Sequence, residues 1–135
     1  MFPGQLEIQP ELLPVQVLAY LGDAVYELFV RHYLVVSGVS RPVAIHNEAV
    51  KYVRADFQAG VMRRLEKELS EEEKAIARRG RNAKLSRSPK GQTFPEDYHY
   101  STAFEALIGF LYLKGEKQRL LELMSSIFRQ DGGIS

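Results

Sequence analysis

Apolar residues recur every three or four positions along most of this chain, and no stretch alternates convincingly with period two. A helix turns about 100° per residue, so that spacing gathers apolar side chains on one face, whereas a half-buried strand needs strict alternation. Leu18, Leu21, Val25, Leu28, Phe29 and Val36 keep the helical spacing up to Gly38, and Pro14 suits a first turn. The spacing predicts a first helix over 14–36. A second helical stretch over 43–69 carries Ala49, Val50, Val53, Phe57, Val61, Met62 and Leu65, with a break near Ala55-Asp56. Ser70 and Glu73 stand as N-cap and N3 of a capping box that starts a short helix to Arg79. Asp97 is placed to cap a helix over 98–114 that Gly115 ends, and a last helix is expected over 116–129. The fold class is all-α, a helical bundle.

With 135 residues and no internal repeat, one domain over 1–135 is expected, with no second binding domain. A chain of that size buries roughly 68–70% of its unfolded surface and folds without metal or disulfide staples. The absence of cysteine removes disulfide frameworks, thiolate zinc sites and cysteine nucleophiles, and is compatible with a reducing cytoplasm. The longest apolar run, Ala106 to Leu113, falls far short of the ~18 residues of a membrane span. Met1 to Gln5 carries neither a basic nor an apolar leader segment, so no secretory signal is expected.

Net charge is only +1, but it is unevenly placed. Residues 1–40 hold four acids and one base, whereas Lys74 to Lys90 holds seven bases and no acid. Gly80 to Pro95 is polar, basic and broken by Gly80, Pro89, Gly91 and Pro95. Such a loop exceeds the ~12–15 residues beyond which loops tend to be functional or disordered.

Two carboxylates stand in unusual places. With the main stripe of the first helix running through Leu21, Val25 and Leu28, Asp23 lies on the other side. Its neighbours there are mostly apolar or small, so a second packing surface is expected around it rather than open water. Aspartate is a poor mid-helix residue, and Gly22 before it costs a further 0.8–1.0 kcal/mol or so against alanine. Glu105 repeats the pattern as the only charge between Asp97 and Lys114, with Ala106 and Gly109 beside it to admit another helix. Two outcomes are open. Each acid pairs with an arginine or caps a neighbouring helix, or the two converge and bind a divalent cation such as magnesium, which takes one or two carboxylates plus waters and substrate phosphate.

Leu18-Ala19-Tyr20-Leu21-Gly22-Asp23-Ala24-Val25 closely resembles the signature helix of the ribonuclease III family, and Phe104-Glu105-Ala106-Leu107-Ile108-Gly109 resembles that family's second motif. Arg79-Gly80-Arg81-Asn82-Ala83-Lys84 narrows the resemblance to the bacterial subgroup that has the nuclease domain and lacks the double-stranded-RNA-binding domain. The resemblance implies a helical, cytoplasmic homodimer that cleaves double-stranded RNA with Mg2+, one strand per subunit, leaving short 3′ overhangs, and that matures precursor 23S ribosomal RNA. It places Asp23 and Glu105 on the family's catalytic, metal-binding acids. Other acids of the family's set are replaced here by Ala19, Thr102 and Gln16, which argues against a firmly held second metal; Glu27 reads as structural. A contact between subunits is expected around Gln16, Ala19 and Tyr20.

A nuclease of this kind takes its RNA affinity from its own surface, through Lys and Arg contacts to phosphate. Arg78, Arg79, Arg81, Lys84, Arg87 and Lys90 are the expected RNA-binding residues. His32, His46 and His99 have no metal-ligand spacing, and His32 is expected in the core. Ser101 or Thr102 is expected at most to orient a water or phosphate. The competing reading is an inactive domain of this fold that holds structured RNA without cutting it.

Overall fold

The computed structural model describes residues 4–83 and 95–130. Its helices are α1 (Val15–Val36), α2 (Pro42–Val53), α3 (Ala55–Leu65), α4 (Glu71–Arg81), α5 (Pro95–Lys114) and α6 (Lys117–Gln130), with no strand among the described residues. Short 3₁₀ turns at Pro10–Leu12 and Glu66–Glu68 complete the framework. The all-α expectation holds, and the second helical stretch divides at Arg54, whose extended backbone separates α2 from α3.

α5 is the hub. Every residue from Ala106 to Leu111 is buried, and α1, α3 and α4 pack around it. A helix apolar on all sides has no solvent face to offer, so it takes the centre of the bundle. Around it the core is aromatic at one end. Tyr26 meets Phe104 edge-on at 4.9 Å, and Tyr33 stacks on Phe128 of α6 at 4.2 Å. The Tyr26 hydroxyl donates to the Tyr52 carbonyl at 2.8 Å, so the buried phenol is satisfied.

α4 starts on the capping box. The Glu73 amide donates to Ser70 Oγ at 3.1 Å and the Ser70 amide to Glu73 Oε1 at 2.9 Å. Arg119 of α6 donates to both Glu73 oxygens at 2.9 Å. Burial pushes the Glu73 carboxyl up, but the Arg119 bond and the Ser70 amide outweigh it and hold it below its ordinary value.

Several local expectations are corrected. The buried face of α1 runs through Leu18, Ala19, Gly22, Val25, Tyr26 and Val30, leaving Leu28 67% and Val36 72% exposed. The physical reason is α5, which approaches so closely that small residues, not the largest ones, form the contact. His32 sits on the exposed side, outside the core. α5 begins three residues earlier than expected, at Pro95, which puts Asp97 inside its first turn. There Asp97 accepts from Arg63 at 2.9 Å. Gly80 and Arg81 belong to α4 rather than to the loop.

Candidate active site

α1 and α5 cross with their backbones in contact. A Cβ on Gly22 would lie 1.7 Å from the Glu105 carbonyl oxygen, and one on Gly109 would lie 2.0 Å from that of Leu18. Real Cβ atoms do not approach backbone so closely, so only glycine fits at both positions. The helix propensity given up at Gly22 is the condition for this crossing. Asp23 follows the contact point directly, and Glu105 supplies the carbonyl that Gly22 touches. The seam therefore delivers one acid from each helix to the same place.

Asp23 and Glu105 meet at hydrogen-bonding range. Burial, then the hydrogen bond and the charge of Asp23, push the Glu105 carboxyl up to about 9, and Glu27 adds to the repulsion. None of the ion pairs among the described residues engages either acid. Of the two outcomes left open by the sequence, the acids converge. Asp23 is exposed, at the edge of the seam, and not inside a second packing surface as expected; Glu105 is half-buried. Glu27 is turned toward Arg31, at 3.4 Å.

This donor set fits a divalent cation. Two carboxyl groups that face each other without a basic partner repel unless a proton or a cation lies between them. Among the described residues no group of three or more His, Cys, Asp or Glu converges, so the donors brought together here are the two carboxyl groups. Magnesium is commonly held in that way, with waters and substrate phosphate completing the shell.

The hydroxyls near the acids are engaged by protein. Thr102 Oγ1 donates to the Tyr98 carbonyl at 2.9 Å, and Ser101 Oγ donates to Gln58 Oε1. Each hydroxyl's proton is therefore committed to the protein, which leaves only its acceptor lone pairs for a water. Gln58 itself was not singled out from the sequence, although it falls on the apolar stripe of α3 with Met62 and Leu65. A polar residue on such a stripe is the signal that marks it.

The expected RNA-binding residues divide. Arg78 is exposed on α4. Arg81 lies 3.3 Å from Glu66 and over the Tyr100 ring, and shares a cleft of about 340 Å³ with Lys67, Lys74 and Arg78. Arg79 turns the other way and donates to the carbonyls of Glu11 and Leu13 at 2.7 and 2.6 Å, tying the N-terminal 3₁₀ turn to α4. Lys84, Arg87 and Lys90 lie outside the described residues. Of the expected subunit contact, Gln16 and Tyr20 are exposed, but Ala19 is buried against α5.

Residues 16–116 match the family model for the ribonuclease III domain. A protein named Mini-ribonuclease 3 from Symbiobacterium thermophilum is 46% identical over 117 residues, covering 87% of this chain and 89% of its own. The protein of the same name from Brevibacillus brevis is 44% identical over 124 residues, 92% of each chain. A crystal structure of a Fusobacterium nucleatum protein superposes with a TM-score of 0.79 at 27% identity, covering 87% of this chain and 93% of that one.

Proposed function

This chain belongs to the ribonuclease III family of endoribonucleases, and from that premise we propose that it cleaves double-stranded RNA with magnesium at Asp23 and Glu105. The observation that carries the reading is the α1–α5 crossing, which brings those two carboxylates together with no basic partner. A magnesium ion held there would lower the pKa of a bound water and offset charge on the scissile phosphate. Asp23, exposed at the rim, is the acid that faces incoming substrate. Glu105, half-buried behind it, is fixed by the helix packing and retains a proton while no cation is present.

RNA affinity in this reading comes from the α4 side. Arg78 and Arg81, on the cleft beside α5, are placed to take backbone phosphates, with Lys84, Arg87 and Lys90 following in the chain. Arg79 supports the same surface by anchoring α4. A homodimer is supported by α1, where Val17, Tyr20 and Leu28 stay 46, 84 and 67% exposed in the single chain. Their face adjoins Asp23, so a partner seated on it would border the acid pair. No helix among the described residues is long and apolar enough to cross a membrane. The family likeness extends the proposal to a cytoplasmic role in maturing precursor 23S ribosomal RNA.

The test is incubation of the protein with duplex RNA, with and without magnesium. We expect cutting that requires the metal and that falls at least about 100-fold in Asp23→Asn, several kcal/mol of barrier. Tight binding with no products under any divalent metal would overturn the reading in favour of a non-cutting RNA-binding domain.

A further inference from the structure

We propose that Gln58, held by Ser101, is a positioning residue that orients the Glu105 carboxylate for its cation; this rests on the metal-dependent reading above. Gln58 is 1% exposed, on a face of α3 otherwise made of Ala59, Val61, Met62 and Leu65. An amide there loses its water and needs partners from the protein. It has one. Ser101 donates its hydroxyl to Oε1, while Nε2 is fully buried with no acceptor in good hydrogen-bonding geometry among the described atoms.

The direction of that unused donor is set by the helix. Ser101 and Glu105 are one turn apart on α5, on the side that faces α3. With its oxygen bound by Ser101, the amide turns its nitrogen toward the next turn, where Glu105 lies and feels it. Amide oxygen and nitrogen are nearly the same shape, and the charge of a neighbour decides which faces it. Once a cation displaces the Glu105 proton, the ionised carboxylate selects the N–H side. Glu105 is thus flanked by Asp23 on α1 and by the Gln58 amide on α3. A donor on one carboxylate oxygen leaves the other to face Asp23, which is the orientation a shared cation requires.

A purely structural glutamine and a positioning one predict different behaviour. Replacing both partners of a buried hydrogen bond by apolar side chains of similar shape is nearly neutral or stabilising when only packing matters, whereas Gln58 replaced alone orphans the Ser101 hydroxyl. We would therefore measure Gln58→Met, Gln58→Leu and the double change Gln58→Leu with Ser101→Ala. Three readouts are needed: melting temperature without metal, the shift in that temperature on adding Mn2+ without RNA, and the magnesium dependence of duplex RNA cleavage. The expected result is a metal-free melting temperature unchanged or raised in the double change, and in all three variants a smaller manganese-induced shift and a half-saturating magnesium concentration raised about 10-fold or more with KM for RNA unmoved. Ser101→Ala alone should show the same change to a lesser degree.

Wild-type metal dependence in all variants would overturn the proposal, as would a loss of activity in the double change that merely follows a fall in its metal-free melting temperature. If wild-type protein responds to Mn2+ but does not cut duplex RNA, the functional reading fails, and the manganese shift alone decides the role of Gln58. A wild-type protein with no metal response overturns both.

Discussion

The acidic seam and the basic cleft are built on opposite principles. At the seam, two short side chains leave backbones that touch at Gly22 and Gly109, so their positions follow from helix geometry with little freedom. Around the cleft, charge sits at the ends of long arginines and lysines, and a partner inside the protein already claims some of it, as Glu66 does with Arg81. A cation needs ligands fixed to within a fraction of an ångström, whereas a phosphate backbone tolerates adjustable contacts. The difference accords with the proposed roles, a fixed seam for a cation and an adjustable cleft for RNA.

The sharpest way to break that contrast is Gly22→Ala. A methyl group 1.7 Å from a carbonyl oxygen must force α1 and α5 apart. Overpacking of this kind costs about 1–3 kcal/mol or more, and chemical denaturation should show that loss together with loss of cleavage. Stability and activity both unchanged would mean that the crossing is not rigid. Gly60, where a side chain would meet nothing, is the matched control.

Next in size is the pH response of the metal-free protein. Glu105 has its folded pKa raised to about 9 from an ordinary value of 4.5. Its contribution is therefore fully present below 4.5 and is lost as pH rises through 9. Melting temperature without metal should fall with pH across that window, and Glu105→Gln should flatten the fall. An identical slope in the variant would show that the two acids do not confront each other.

On the basic side a neighbouring pair separates anchoring from binding. Arg79→Ala removes two charge-assisted bonds, one to an exposed carbonyl and one to a part-buried carbonyl, and should lower stability by about 1–2 kcal/mol. Arg78→Ala, the smallest effect, should leave melting unchanged while weakening duplex binding and reducing the salt slope by about 1. The reverse assignment, with Arg79 governing salt dependence and Arg78 governing melting, would contradict the division described above.

Much of this was legible along the chain. α1 and the α2–α3 break fall where apolar spacing and punctuation put them, and the capping box at Ser70 forms as written. Asp23 and Glu105 stood out because a charge and a glycine in the middle of an apolar helix oppose local stability. Other features were hidden. Leu28 reads as core by its neighbours, yet it faces outward because α5 docks on the small residues instead. Arg78, Arg79 and Arg81 look alike as a run, and only the position of the N-terminal 3₁₀ turn separates the anchor from its neighbours. Gln58 carries no motif at all.

Sequence alone determined the helical class and the main helices and singled out the two acids, because periodicity, capping and motif spacing act over a few residues. Tertiary structure alone decided that the two acids meet, which arginine is anchored and that Gln58 is buried against Ser101. Those depend on where distant helices cross, and that is settled by which surfaces can come into backbone contact.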